Sequence, residues 1–294
     1  MKFDSRIIPI RNDLASIEYK GLIKSKKFSN GTNYFLRSSS SPLYSKKNSN
    51  ELASQLLYGE IFRVFDVSGK FAWGQSLRDN YVGYTPIESL SSKKIKATHK
   101  IQSLRALIYK KPQIKQSPIM YLSLNSLVNV KSKEGKFSFL ENLGWIFSGC
   151  ISPINNFNFN VTELAIQYLN TPYLWGGRDS IGIDCSGLIQ NIYQMVGINM
   201  PRDTDLQELF FADEIFSETK IKAGDLIFWK GHVAMALDNK NIIHANAYHM
   251  KTSIETLKHA KVRIAKQYGK IIKISRPSNI CLLYTSDAAD DTLC

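Results

Sequence analysis

The sequence predicts an α+β architecture, with two small antiparallel β units ahead of a mixed domain. Three observations carry that expectation. Short strand-like runs separated by turn residues fill the stretch from Phe35 to Leu90, and a weaker copy of the pattern runs from about Ile101 to Ile154. From Val161 the apolar residues take up helical spacing, before strand-like runs return towards the end.

The elements can be justified in chain order. Residues 1–35 show no sustained periodicity and are expected to be an arm packed on the neighbouring β unit. In residues 36–92 the runs Leu56 to Phe65, Phe71 to Ser76 and Asn80 to Thr85 alternate with turns at Ser68-Gly69 and Asp79-Asn80, as in a small barrel. Within residues 97–155, Leu107-Ile108-Tyr109, Ser126 to Val130, Gly135-Lys136-Phe137 and Gly144 to Phe147 repeat that layout in degraded form. A barrel this short buries little core alone, so packing against a neighbour is expected. In residues 158–277, Val161, Leu164, Ala165, Tyr168 and Leu169 predict one helix, ended by Thr171-Pro172. A second helix is expected from Cys185 to Val196, with Leu188, Ile189, Ile192, Met195 and Val196 as its apolar stripe. Strands are expected at Asp225 to Trp229, Val233 to Leu237, Ile242 to Ala245 and Lys270 to Ile274, with a hairpin turn at Asp238-Asn239. A helical front on an antiparallel back makes this domain α+β. Residues 281–294 hold three aspartates and no Lys or Arg, fit neither sheet nor helix, and are read as a non-native tail of translated adapter sequence.

Composition narrows the function. Hydrophobic residues at 44% and charged residues at 21% are those of a globular chain. A net charge of +13 would suit an anionic partner, but the lysines are scattered and Lys is common throughout, so nucleic-acid binding is not expected. The four cysteines, Cys150, Cys185, Cys281 and Cys294, form no CxxC pair and no disulfide framework. No run approaches the ~18 apolar residues of a membrane span. Residues 1–20 lack the apolar core of a signal peptide, so a cytoplasmic location is expected.

The chemistry centres on Asp184-Cys185-Ser186-Gly187, Gly231-His232-Val233 and His244. Cys185 opens a helix capped by Asp184, where amide N–H groups and the helix dipole favour a thiolate and first-turn amides can hold an oxyanion. A histidine can take the thiol proton and return it to the leaving amine. The twelve-residue step from His232 to His244 fits neighbouring antiparallel strands, so His244 can orient His232. Plainer readings compete: a buried structural cysteine, core histidines, or a Cys/His/His zinc site with His249 as the spare histidine nearby. The combination of all three residues favours a nucleophile with its base, and neither metal nor cofactor is expected.

These residues also resemble the NlpC/P60 family of papain-like cysteine peptidases. The matching stretches are Thr171 to Gly177, Asp184 to Ile189, Pro201-Arg202-Asp203-Thr204, Gly224 to Trp229, Gly231 to Met235 and Ile243-His244-Ala245. Tyr81-Val82-Gly83-Tyr84 is similar to the signature of bacterial SH3 domains, which implies two SH3-like barrels, the second divergent. The resemblance implies Cys185 as nucleophile, His232 as general base and acid, and His244 as the orienting third member. Members with N-terminal SH3-like domains look like γ-D-glutamyl-L-diamino acid endopeptidases of the dipeptidyl-peptidase VI type. Those cut L-Ala-γ-D-Glu from diaminopimelate or lysine and need a free L-Ala amine.

An ammonium in a closed pocket needs a carboxylate and further acceptors. By resemblance Asp203 supplies the carboxylate, Tyr81 narrows the cleft, Asp184 and Ser186 line it, and Trp175 forms a wall. Arg202 would pair with Asp203 or with a substrate carboxylate, and Thr204 stands where many relatives have serine. Against these roles stand a surface ion pair for Arg202-Asp203, a barrel aromatic for Tyr81 and core packing for Trp175. The expected partners are free murein peptides, in a recycling role. A wall hydrolase acting on intact murein, a catalytically dead binding protein and an acyltransferase are the other readings. Diaminopimelate against lysine, and the oligomeric state, are left open.

Overall fold

The computed structural model describes residues 3–211 and 218–277. The segment read above as a non-native tail lies outside the described residues.

The first barrel is a seven-stranded antiparallel sheet. Its order is Leu52–Leu57, Ser40–Tyr44, Val82–Pro86, Phe71–Ser76, Ile61–Ser68, Thr32–Leu36, Leu90–Ser91. Alternation along these strands points Leu36, Leu43, Leu56, Phe62, Ala72 and Leu90 inward to one core. Strand Thr32–Leu36 pairs with both Ile61–Ser68 and Leu90–Ser91, so the barrel begins inside the segment expected to be an arm. The residues before it form a parallel pair, Leu14–Ser16 with Lys27–Ser29. The arm is then pinned to the barrel where the Val82 N–H donates to the Arg6 carbonyl at 2.7 Å and Gln75 Nε2 to the Ile7 carbonyl at 2.8 Å.

The second β unit has a five-stranded sheet, Met120–Ser123, Arg105–Tyr109, Gly144–Phe147, Phe137–Leu140, Val130–Glu134, and a three-stranded one, Leu127–Val128, His99–Ile101, Ile151–Pro153. It packs on the first barrel, whose Tyr58 joins its apolar core.

The third unit places helix α1 (Val161–Gln167), helix α2 (Cys185–Met195) and helix α3 (Thr204–Phe210) against a five-stranded antiparallel sheet. Its order is Lys251–Thr256, Asn241–Asn246, His232–Ala236, Leu226–Trp229, Lys273–Ser275. Helix α4 (Leu257–Tyr268) covers the other face. Val233, Met235, Ile243 and Ala245 face α2, while Ala234, Ala236 and Ile242 face α4, the period-two split of a sheet buried on both sides. Strand Lys251–Thr256, α3 and α4 were not expected from the sequence.

The loop before α2 fixes that helix relative to both barrels. Arg178, fully buried, donates to Glu60 at 3.0 and 3.2 Å and to the Gln55 carbonyl at 2.6 Å. Arg78 pairs with the same Glu60 at 3.0 Å. Asp179 accepts from Ser40 of the first barrel and Tyr121 of the second. Gly176 needs its φ of +75°, and a Cβ there would meet the Leu52 carbonyl oxygen at 2.8 Å, so only glycine lets the loop approach the barrel.

Candidate active site

Helix α2 starts at the thiol because Asp184 caps it. Asp184 Oδ1 accepts from the Gly187 N–H at 2.7 Å, and its Oδ2 takes the Gly176 N–H at 2.8 Å. The Leu188 N–H goes to the Asp184 carbonyl. The Cys185 and Ser186 amides have no protein acceptor among the described residues, which leaves these two as the donors for an oxyanion.

Cys185 is a free, buried thiol. Its Sγ lies 3.8 Å from Thr204 Oγ1. Burial, and next the Asp184 carboxylate, push the thiol up to about 11. His232 is pulled down to about 3, first by burial and then by His244 and Arg263. The expected depression of the thiol by the helix start is thus outweighed. Burial favours the neutral form of both the thiol and the imidazole.

His232 is backed by a relay. Its Nε2 lies 2.8 Å from His244 Nδ1, and His244 Nε2 lies 2.8 Å from Glu255 Oε1. Arg263 from α4 pairs with the same Glu255 oxygen. Burial opposes ionisation of Glu255, but hydrogen bonds from His244 and Arg263 hold it at about 2. An ionised carboxylate only accepts, so His244 carries its proton on Nε2 and offers Nδ1 to His232. His232 then carries its proton on Nε2, which leaves Nδ1 as the basic nitrogen of its ring. Glu255 was missed by sequence reading. It sits opposite Ile242 in the ladder, next to the strand that carries His244, and that register was not readable without the strand.

His244, His249 and Glu255 also place ligand-type atoms within 4.8 Å of one another. Two of these three are already bonded to each other, and the Arg263 guanidinium stands on Glu255, which works against a cation there. Cys185 is not in that group.

A cleft of about 840 Å³ opens over Cys185, walled by both the first barrel and the third unit. Tyr81, Trp175, Asp184, Ser186, Asp203 and Thr204 all line it, as the sequence suggested, and so does Tyr173. Trp175 is 69% exposed, an aromatic wall and not core packing. Tyr81 Oη donates to Asp203 Oδ2 at 3.2 Å across the domain boundary. Ser186 Oγ donates to Asp184 Oδ1 at 3.3 Å.

Arg202 corrects an expectation. It is 1% exposed and does not line the cleft. Its guanidinium grips Asp184 at 2.7 and 3.0 Å and also reaches Ser186 Oγ at 2.8 Å and Ser54 Oγ at 3.1 Å. It cannot meet a substrate carboxylate. It locks the helix cap to the barrel instead.

A thiol at a helix N-terminus, beside a histidine relay on an antiparallel sheet, defines a papain-like site. Similarity to known proteins points the same way. The model described as the NlpC/P60 family matches residues 170–269, and the bacterial dipeptidyl-peptidase SH3 domain matches residues 43–90. Residues 170–269 are thus an NlpC/P60 domain, with that SH3 domain ahead of it. Dipeptidyl-peptidase 6 of Lysinibacillus sphaericus is 38% identical over 101 residues, 34% of this chain and 37% of that protein. Gamma-D-glutamyl-L-lysine dipeptidyl-peptidase of Bacillus subtilis (strain 168) is 26% identical over 218 residues, covering 67% of this chain and 73% of its own length. An NlpC/P60 family protein from Bacillus cereus ATCC 10987 shares the fold with a TM-score of 0.71 at 21% identity, over 83% of this chain and 99% of that one. The match thus spans little more than a third of the Lysinibacillus protein.

Proposed function

We propose that the chain is a cysteine peptidase that hydrolyses the γ-D-Glu–diamino acid bond of free murein peptides with an unblocked N-terminal L-Ala. The observation that carries this is the Tyr81–Asp203 contact across the domain boundary, which sets a carboxylate beside the thiol's neighbour Thr204 and narrows the cleft there. A carboxylate and a phenol at the end of a cleft suit a primary ammonium and exclude an acylated one. Relatives named for γ-D-glutamyl-L-lysine cleavage support the bond assignment. In intact wall the L-Ala amine is blocked by muramic acid, so such a pocket selects released peptides and fits a recycling role.

In the reaction, substrate binding brings the γ-carbonyl over Sγ. The thiol proton passes to His232 Nδ1 as Sγ attacks, and the Cys185 and Ser186 amides receive the oxyanion. His232 then protonates the leaving amine of the diamino acid. Water, deprotonated by His232, cleaves the thioester and frees L-Ala-γ-D-Glu.

The test is hydrolysis of L-Ala-γ-D-Glu-diaminopimelate beside its N-acetylated form, with wild type and C185A. The expected result is cleavage of the free-amine peptide alone, lost in C185A. Equal cleavage of both forms would remove the amine pocket and favour a hydrolase of intact wall.

A further inference from the structure

Among the described residues, the only cationic side chain lining the cleft comes from the N-terminal arm, a segment the sequence left without a role. Arg6 Nη1 donates to Asp203 Oδ2 at 2.8 Å, the same oxygen that receives Tyr81. Its remaining N–H groups go to Asp205 at 2.9 and 2.7 Å and to Asp4 at 2.7 and 3.1 Å. All five guanidinium donors are therefore committed. Arg6 has none left for a substrate carboxylate, and six hydrogen bonds to three acids make it a poor gate. Asp203 Oδ1, by contrast, accepts no hydrogen bond among the described residues. The Arg6 carbonyl is tied to the Val82 N–H, so Arg6 and Tyr81 reach Asp203 as one assembly.

We propose that Arg6 is a positioning residue for the amine pocket, holding Asp203 through Oδ2 so that Oδ1 is left to receive the substrate ammonium. This rests on the reading of Asp203 given above. One guanidinium among three carboxylates leaves the cluster with an excess of negative charge, so a cation is still attracted with Arg6 in place. Arg6 also favours the charged form of Asp203. Burial raises the Asp203 carboxyl overall, and Arg202, Arg6 and Tyr81 each work against that rise. The charged and titratable groups facing it are Tyr81 from the barrel, Arg6 with Asp4 from the arm, and Arg202 and Asp205 beside it in sequence. Losing Arg6 thus raises the pH at which Asp203 gains a proton and with it the acid limit of binding.

The experiment measures kcat and KM against pH for L-Ala-γ-D-Glu-diaminopimelate with wild type, R6M, R6K and D203N. For R6M the expected result is a KM about tenfold higher with kcat little changed. The acid limb of kcat/KM should move to higher pH, and R6K should restore most of both. A purely structural role for the arm would lower the unfolding midpoint without moving that limb. An R6M enzyme with unchanged KM and limb, or with a lower KM, overturns the proposal while D203N still loses the substrate. If D203N itself binds normally, the amine-pocket reading fails first, and the role of Arg6 falls with it.

Discussion

Glu255 Oε1 lies 2.8 Å from His244 Nε2, and that single contact sets the proton positions of both histidines, leaving Nδ1 as the basic nitrogen of His232. Replacing the acid by its amide, E255Q, lets the chain of tautomers run either way. The expected outcome is a fall in kcat of about a hundredfold with little change in KM. Steady-state kinetics check it, with the unfolding midpoint as control.

The resting thiol should behave as a neutral group. Burial pushes Cys185 up to about 11 and pulls His232 down to about 3, which disfavours a thiolate–imidazolium pair before substrate binds. Alkylation by iodoacetamide should therefore keep rising with pH through the range where an ordinary cysteine levels off, near about 8.5. A rate already on its plateau below neutrality would mean that the ion pair exists before substrate arrives.

Tyr81→Phe removes one hydrogen bond to Asp203 and nothing else of size. A net loss of about 1 kcal/mol, or roughly fivefold in kcat/KM for the free-amine peptide, is expected. The change should fall on KM. Comparing wild type and Y81F on that peptide decides it.

Arg202→Met should act on stability. It leaves the Asp184 carboxylate buried beside the helix cap without its cation, at a cost of about 3–5 kcal/mol. Urea unfolding measures the loss. An R202M protein as stable as wild type but unable to bind peptide would return Arg202 to the cleft.

Much of this site was legible because its signals are local. Cys185 with its cap, and the two histidines twelve residues apart, are patterns of sequence neighbours. What was not legible depends on partners distant in sequence. Arg6 meets Asp203 across 197 positions, and Arg202 reaches Ser54 of another unit across 148. Helix α4 was hidden for a different reason. Its buried residues Leu257, Ala260 and Ile264 keep helical spacing, but four lysines or arginines dilute the stripe. Glu255 stayed invisible because a strand's register, not its composition, puts it beside His244.

The central claim is that Cys185 takes the γ-D-glutamyl group covalently, and trapping that intermediate tests it most directly. Wild-type enzyme mixed with L-Ala-γ-D-Glu-diaminopimelate, quenched in acid within a turnover and digested, would be read by mass spectrometry. An L-Ala-γ-D-glutamyl thioester on the peptide containing Cys185, and on no other, is expected. Product formed by C185A, or an acyl group found on a different residue, would contradict it.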